Sequence, residues 1–101
     1  MRFESDAAKA AMNRRKHGVA FDEAQEVFAA PAIFEDFAHS EREPRYLAIG
    51  FSGKGRLLTV VFTRPAAEVY RIVSARKATK KEQEQYAEQK RQASDQKIGP
   101  R

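Results

Sequence analysis

The sequence contains no cysteine, and no apolar run in it approaches the length of a membrane span. The absence of cysteine excludes a disulfide scaffold, a thiolate metal site and a cysteine nucleophile, and it fits a reducing cytoplasm. A transmembrane helix needs roughly 20 apolar residues, and the N-terminal residues lack the apolar core of a signal peptide. We therefore expect a cytoplasmic protein without a membrane partner.

The sequence also lacks the patterns that hold metals and cofactors. Two histidines without cysteine do not form a zinc site, and the acidic residues show no metal-binding run. No glycine-rich phosphate-binding loop and no internal repeat are present. The sequence therefore predicts neither a bound metal nor a cofactor.

The 101 residues fit one domain, and the hydrophobic fraction of 42% is enough for one modest core. The net charge of +5 arises late in the chain. Residues 1–68 hold ten Lys or Arg and ten Asp or Glu, whereas residues 69–101 hold nine and four. A localised basic excess indicates a nucleic acid or an acidic protein partner. The alternative is that the charge only keeps a small domain soluble.

The first third of the chain predicts a short edge strand and two helices. Phe3 stands between charged residues, as in a brief edge strand. Asp6 is a suitable N-cap for a helix that ends at Gly18. Asp22 and Gln25 form a capping box for a second short helix.

After Pro31 the hydrophobic period changes from 3.6 to 2, which predicts β-strands. We expect strands at 33–37, 46–51, 57–63 and 69–75. The turn signal at residues 52–55 predicts an antiparallel hairpin between the second and third of these strands. Thr79 and Glu82 match a capping box, so a last, polar helix is expected from Lys80.

The predicted fold class is α+β: two N-terminal helices, an antiparallel four-stranded sheet, the short N-terminal strand and a C-terminal helix. Residues 1–93 form the single predicted domain, and residues 94–101 are expected to be a disordered tail. In the last strand, strict alternation places Arg71 and Ala75 on one face of the sheet and Arg76 on the opposite face.

Several ordered motifs carry a resemblance to a known family. In chain order they are F-E-x-D at Phe3–Asp6, N-x-x-K-H-G-V at Asn13–Val19, F-x-E-A at Phe21–Ala24, V-F at Val27–Phe28, H-S-E-x-E-x-R-Y at His39–Tyr46, I-G at Ile49–Gly50, R-L-L-x-V-V-F-T at Arg56–Thr63, R-I-V-S-A-R-K-A-T-K-K-E at Arg71–Glu82, and Tyr86. The set covers about residues 2–88 and resembles the BrnT family, the toxin half of a bacterial type II toxin–antitoxin pair. Two departures are Ser5, where the family usually has Trp, and Ala7, where it often has Pro.

The resemblance implies a fold of the RelE/ParE ribonuclease-toxin superfamily, and an endoribonuclease that inhibits translation by cutting mRNA, free or on the ribosome, without a metal ion. It also implies neutralisation by a BrnA-type antitoxin, whose ribbon-helix-helix domain represses the shared operon. We expect a heterotetramer with this antitoxin, which alone contacts the operator DNA. Ser5 in place of Trp removes either a packing contact under the first helix or part of the RNA surface. The alternative function is a catalytically degenerate module for antitoxin binding and operon autoregulation.

Metal-independent RNA cleavage uses the substrate's own 2′-hydroxyl as the nucleophile, and needs a base, an acid and cations on the phosphoryl oxygens. Arginine suits the last role because its planar fork binds phosphate in a bidentate manner. Arg76 is the leading candidate, since it stands beside the N-terminus of the last helix. Its alternative is an ion pair with Glu82 or Glu84. Arg45 follows, with a salt bridge to the preceding loop as its alternative, and for Arg71 a structural ion pair is as reasonable as catalysis.

The candidates for proton transfer are His17, His39, Glu41, Glu43, Lys16 and Tyr86. Histidine suits proton transfer near neutral pH, but His17 also fits a structural role in the last turn of a helix. Tyr86 is expected either to stack on a base or to anchor the polar helix to the sheet. The predicted catalytic set is Arg76, Arg45, His17, Glu41 and Tyr86. The predicted RNA-binding set is Lys16, Arg71, Lys77, Lys80 and Lys81.

Overall fold

The computed structural model describes residues 1–40 and 42–98, with side chains described as far as residue 93. The helices are α1 (Ala7–His17), α2 (Phe21–Glu26) and α3 (Lys80–Ile98), and the strands are β1 (Arg2–Glu4), β2 (Ala32–Glu35), β3 (Arg45–Phe51), β4 (Leu57–Ala66) and β5 (Val69–Lys77). Short 3₁₀ turns at Val27–Ala29 and Phe37–His39 flank β2. The prediction of an α+β fold is confirmed.

The strands form one five-stranded sheet in the order β1-β5-β4-β3-β2. Strands β2 to β5 follow one another as an antiparallel meander, whereas β1 pairs parallel to β5, with Phe3 opposite Tyr70. The expected arrangement is therefore wrong in one respect, because the sheet is mixed and has five full members. The chain leaves β1, crosses the sheet as two helices and returns at the far edge, which places β1 and β5 side by side at the end.

Local capping signals explain where α1 begins and ends. The Asp6 carboxylate accepts hydrogen bonds from the backbone N–H of Ala8 at 2.7 Å and of Lys9 at 3.1 Å. Gly18 ends the helix with a φ of 70°, a left-handed conformation that glycine adopts without strain. Both features agree with the sequence.

The capping box predicted for α2 is wrong. This helix begins at Phe21, one residue before Asp22, and no side chain caps its first turn. The burial of Phe21 in the core decides the start, because the ring is 6% exposed whereas Asp22 points to solvent. Burial of a large apolar side chain outweighs the modest gain from one cap.

The hydrophobic core lies between the sheet and the pair α1 and α2. Val19, Ala24 and Val27 contribute from the helical side, and the sheet contributes the fully buried side chains of Leu58, Val60, Phe62 and Ile72. The Phe28 ring packs within 5.5 Å of three other aromatic rings, those of Phe3, Phe62 and Tyr70. We call this side of the sheet, which α1 and α2 cover, the helical face.

Helix α3 lies on the opposite side of the sheet, where it is fixed by polar contacts as well as by one aromatic pair. The predicted capping box is confirmed: the Thr79 N–H donates to Glu82 Oε1 at 2.9 Å, and the Glu82 N–H donates to Thr79 Oγ1 at 3.2 Å. Tyr86 packs edge-on against Phe51 with ring centroids 5.6 Å apart. Further along, Gln89 and Lys90 donate to backbone carbonyls at the edge of β2.

Helix α3 is described as far as Ile98, beyond the point where we expect the tail to begin, and residues 99–101 lie outside the described part of the chain. The domain limits therefore stay a prediction. Within the described residues, no helix is both long and apolar enough to cross a membrane.

Candidate functional site

A β-bulge in β5 sets the composition of the face opposite the two N-terminal helices. Val61 pairs with Ser74 and its neighbour Phe62 pairs with Ile72, so Val73 has no partner in the register. The extra residue reverses the alternation of side chains. The predicted strict alternation is therefore wrong, and Arg71 and Arg76 lie on the same face of the sheet.

The side chain of Asn13 fixes the strand next to this bulge. Its amide group donates to the Ala75 carbonyl at 2.8 Å and accepts from the Ala75 N–H at 3.0 Å, as a neighbouring strand would. A third bond runs from the same amide to the Val19 carbonyl at 3.0 Å. Asn13 is 6% exposed. An asparagine in the middle of a predicted helix is the sequence signal for such a contact, and the sequence-based prediction did not use it.

Three strands place a row of polar residues side by side on this face. The register pairs Arg45 with Thr63 and Thr63 with Arg71, so the threonine stands between two arginines. A second row contains Leu47, Val61 and Ser74, which are all half-buried. We call these two rows, made of Arg45, Thr63, Arg71, Leu47, Val61 and Ser74, the open face.

Arg71 forms an ion pair with Glu4, as expected if its role is structural. Its Nε and Nη2 lie 3.0 and 2.9 Å from Glu4 Oε1 on the neighbouring strand. The Arg71 side chain is 47% exposed and that of Glu4 is 37% exposed. A pair that is this exposed contributes little to stability, so Glu4 can be exchanged for another anion.

Arg76 stands where the open face meets α3, and it binds Glu82. Its Nη1 and Nη2 lie 2.6 and 2.9 Å from the two carboxylate oxygens, a bidentate geometry. Glu82 also accepts from the Thr59 hydroxyl at 2.9 Å. The ion pair named as the alternative for Arg76 is therefore present. The Arg76 side chain remains 33% exposed, with three further N–H donors.

The electrostatics of this pair favour both charges. Burial alone raises the pKa of Glu82, but hydrogen bonds from Arg76, the Thr79 N–H and Thr59 outweigh it and lower the pKa to about 2. In the same way, the hydrogen bond to Glu82 raises the pKa of Arg76. The guanidinium group is thus permanently charged and held in one orientation.

The residues at the end of α1 lie beside the open face. Lys16 and His17 line a small hollow of about 170 Å³ between α1 and β5, which they share with Val73 and Ser74. The bulge and the helix end therefore meet, and the structure brings His17 next to the row that contains Ser74.

The loop before β3 carries a second group of predicted residues. His39, Arg42, Glu43 and Arg45 line a cavity of about 370 Å³. His39 Nδ1 lies 2.9 Å from Asp36 Oδ2. Glu41 falls outside the described residues, so its predicted role stays a prediction.

Tyr86 and the remaining lysines are not brought together with Arg45. Tyr86 contacts Phe51 at the far end of β3, six residues from Arg45, which corresponds to roughly 20 Å along the strand. Lys77 pairs with Leu58 on the helical face. Lys80 and Lys81 lie exposed in the first turn of α3.

A second buried ion pair lies on the other side of the molecule. Glu23 of α2 accepts from Arg56 Nε at 2.9 Å and from the Ser52 hydroxyl at 2.7 Å, and Arg56 also donates to the Gly18 carbonyl. The hydrogen bond from Arg56 lowers the pKa of Glu23 to about 2 against the effect of burial. This network ties the β3–β4 turn to α2 and takes no part in the open face. Among the residues that the structure describes, no group of three or more His, Asp or Glu side chains could hold a metal ion.

The fold and this face define a small α+β protein whose sheet presents arginine side chains on its exposed side. Comparison with known families gives a match to the ribonuclease toxin, BrnT, of type II toxin–antitoxin systems over residues 6–82. The chain belongs to this family. It is similar to the Brucella abortus ribonuclease toxin BrnT known from a crystal structure, with 27% identity and a TM-score of 0.66, over 79% of this chain and 99% of that one. A comparison with curated proteins gave no match.

Ser5, which stands where the family usually has Trp, lies on the helical side of the molecule. It lines a hollow of about 250 Å³ between α1 and α2, together with Ala10, Ala11, Ala20 and Phe21 and with the charged residues Arg14 and Asp22. An aromatic side chain at residue 5 has small apolar neighbours to pack against. This location favours the packing alternative over a place in the RNA surface.

Proposed function

We propose that this chain is a metal-independent endoribonuclease of the RelE-like type, which inhibits translation by cutting mRNA on the open face. Membership of a ribonuclease-toxin family gives an RNA substrate and an antitoxin partner in general terms. The observation that supports the specific site is that Arg45 and Arg71 flank Thr63 in one row, and that the β5 bulge brings Arg76 to the same face of the sheet, four residues further along β4.

The chemistry follows from the charges on this face. Attack of the 2′-hydroxyl on phosphorus builds negative charge on the phosphoryl oxygens, and fixed guanidinium groups stabilise that charge best when they need no reorientation. Glu82 holds Arg76 in such a fixed orientation. His17, in the hollow beside Ser74, is the candidate for proton transfer from α1, and Glu41 is the candidate from the loop before β3.

The half-buried apolar side chains between the arginines fit a single-stranded ligand. Leu47 and Val61 form the floor between Arg45 and Arg76, and a base or ribose can pack there while phosphates reach the arginines. Tyr86 lies too far from Arg45 to serve the same phosphate, so its contribution is at the other end of the bound strand.

Neutralisation by a BrnA-type ribbon-helix-helix antitoxin completes the proposal. The antitoxin covers the open face, the two proteins form a cytoplasmic heterotetramer, and operator DNA is bound through the antitoxin. A short ribbon-helix-helix gene immediately downstream and light scattering on the purified complex test this part.

The nuclease proposal is tested with purified protein, RNA and excess EDTA. The parent chain is expected to cut RNA under these conditions, and Arg76→Ala or Arg45→Ala is expected to lower the rate about 100-fold or more. Arg64→Ala is the matched control, because Arg64 stacks on Tyr70 on the helical face of the same sheet. Intact RNA with the parent chain, and no growth arrest on expression without antitoxin, refute the proposal.

One observation favours the second candidate, a degenerate module that binds antitoxin and regulates the operon. Two donors of Arg76 are occupied by Glu82, as in a purely structural ion pair. Tight binding of antitoxin, with no cleavage in EDTA or in magnesium, identifies this function.

A further inference from the structure

Thr63 carries an unusual polar atom. Its side chain is 3% exposed, and among the residues that the structure describes its hydroxyl oxygen is the one buried side-chain N or O atom without a hydrogen-bond partner. A buried polar group without a partner costs stability, so native proteins rarely keep one without a use. Valine has the same shape and carries no such cost at this position.

The neighbours of Thr63 define what its hydroxyl can bind. Arg45 and Arg71 stand directly opposite on the two adjacent strands, where cross-strand side chains lie about 5 Å apart at Cβ. None of the described carboxylates forms an ion pair with Arg45. A hydroxyl donor between two guanidinium groups matches an anion with several acceptor oxygens.

The carboxylate of Glu4 occupies one side of this row in the free protein. It binds Arg71 on the outer edge, and its second oxygen lies 3.9 Å from Arg2. Both partners are more than one-third exposed, so the pair is weak and is open to exchange. Arg45 and Thr63 have no such substitute among the described side chains.

We propose that Thr63, with Arg45 and Arg71 on either side, forms a phosphate-binding subsite on the open face, and that a phosphate of the RNA replaces Glu4 on Arg71. The inference rests on the proposed function, because it assigns one backbone phosphate of the same RNA to this row. It adds Thr63 as a binding residue and Glu4 as the group that the phosphate displaces. Arg76 then serves a different phosphate, about four residues further along the strands.

The test compares Thr63→Val and Thr63→Ser with the parent chain. The probe is a labelled ten-nucleotide 2′-O-methyl RNA, which cannot be cut because its 2′-oxygen is blocked, and binding is followed by fluorescence anisotropy. Thr63→Val is expected to melt at the same or a higher temperature, yet to bind the probe about 10- to 100-fold more weakly. Thr63→Ser restores the hydroxyl and should bind like the parent chain.

Salt dependence distinguishes the hydroxyl from a charge. Thr63→Val removes no charge, so its slope of log affinity against log salt should equal that of the parent chain, whereas Arg45→Ala should reduce the slope by about 0.7. Glu4→Gln frees Arg71 and should strengthen binding of the probe. Weaker binding by Glu4→Gln contradicts the exchange.

Two results overturn the subsite. One is unchanged probe binding by Thr63→Val, which leaves the nuclease proposal intact if the parent chain still cuts RNA. The other is a lower melting temperature of Thr63→Val, which gives the hydroxyl a role in the folded protein alone.

If the parent chain neither cuts nor binds RNA, the proposed function fails, and the subsite is then judged with inorganic phosphate at constant ionic strength. Phosphate must raise the melting temperature of the parent chain more than that of Thr63→Val, and equal shifts reject the subsite.

Discussion

Replacing Glu82 with glutamine removes the carboxylate that joins α3 to the sheet. Glu82 binds Arg76 through both oxygens and also accepts from Thr59 and from the Thr79 N–H. The variant keeps the shape of the side chain but places an N–H₂ group against the guanidinium donors. Arg76 is then left without its anion in a site where Glu82 is only 8% exposed.

The size of the effect follows from the pKa of Glu82. A decrease from 4.5 to about 2 corresponds to an upper limit of about 3.5 kcal/mol, since one unit is worth about 1.4 kcal/mol. Because the Arg76 side chain is 33% exposed, water recovers part of this energy. We therefore expect a loss of about 2 kcal/mol, or about 10 °C in the melting temperature of a domain of this size.

The pH dependence gives an independent check. A carboxylate whose pKa is lowered by folding stabilises the protein fully above pH 4.5 and loses this contribution as the pH falls towards 2. The parent chain should lose stability over this window through both Glu82 and Glu23, whose pKa is also about 2. The Glu82→Gln variant should show only the loss of stability at low pH that is due to Glu23.

Urea denaturation and thermal melting at pH 7 and at pH 3 measure both effects. Glu88→Gln on the same helix is the control, because Glu88 is 53% exposed, pairs with Arg91 and should contribute less than about 1 kcal/mol. Equal losses in the two variants, or an unchanged pH dependence in Glu82→Gln, would refute the assignment of this ion pair as the main attachment of α3.

Two further substitutions test other contacts of the fold. Asn13→Ala leaves the N–H and the carbonyl of Ala75 unpaired, so the free energy of unfolding in urea should fall by about 2–4 kcal/mol, whereas Met12→Ala, at a side chain 59% exposed, should change it little. A small effect of Asn13→Ala would mean that the bulge holds without the amide. Ser5→Trp should fill the hollow between α1 and α2 and raise the free energy of unfolding by about 1–2 kcal/mol, with Ser5→Ala as the neutral control. An unchanged stability together with tighter RNA binding would instead place residue 5 in the RNA surface.

The parts of the fold that depend on neighbouring residues could be predicted from the sequence. The Asp6 cap, the Gly18 stop and the Thr79–Glu82 capping box are short-range signals, and the structure contains all three. The hairpin around Ser52–Gly55 is present for the same reason. Each of these features needs only a few consecutive residues to form.

The features that the sequence did not predict depend on contacts between distant residues. The bulge at Val73 cannot be predicted from the alternating residues of the strand itself. The strand beside it is fixed by Asn13, which bonds to Ala75 from 62 positions away in the chain. The start of α2 was missed because burial of Phe21 and the contact of Glu23 with Arg56 override a good local cap. For Arg76, the sequence named the correct partner, Glu82, but only as an alternative.

The candidate site divides in the same way. The arginines were identified from residue type and position, but their common face was not, because it requires the bulge. Thr63 was missed altogether, since a threonine in a strand is ordinary until its register neighbours and its unpaired hydroxyl are known.

The side chains that reach the two borders of the sheet also protect the protein from self-association. Past the end of β1, which covers only Val69–Arg71, β5 is a border of the sheet, and there the amide of Asn13 occupies the N–H and carbonyl of Ala75. At the other border, Gln89 donates to the carbonyl of Ile33 in β2 and Lys90 donates to the carbonyl of Pro31 just before it. A second copy that pairs strand to strand at these positions must first displace α1 or α3. Variants that loosen either helix should therefore aggregate through the sheet borders before the core itself is exposed.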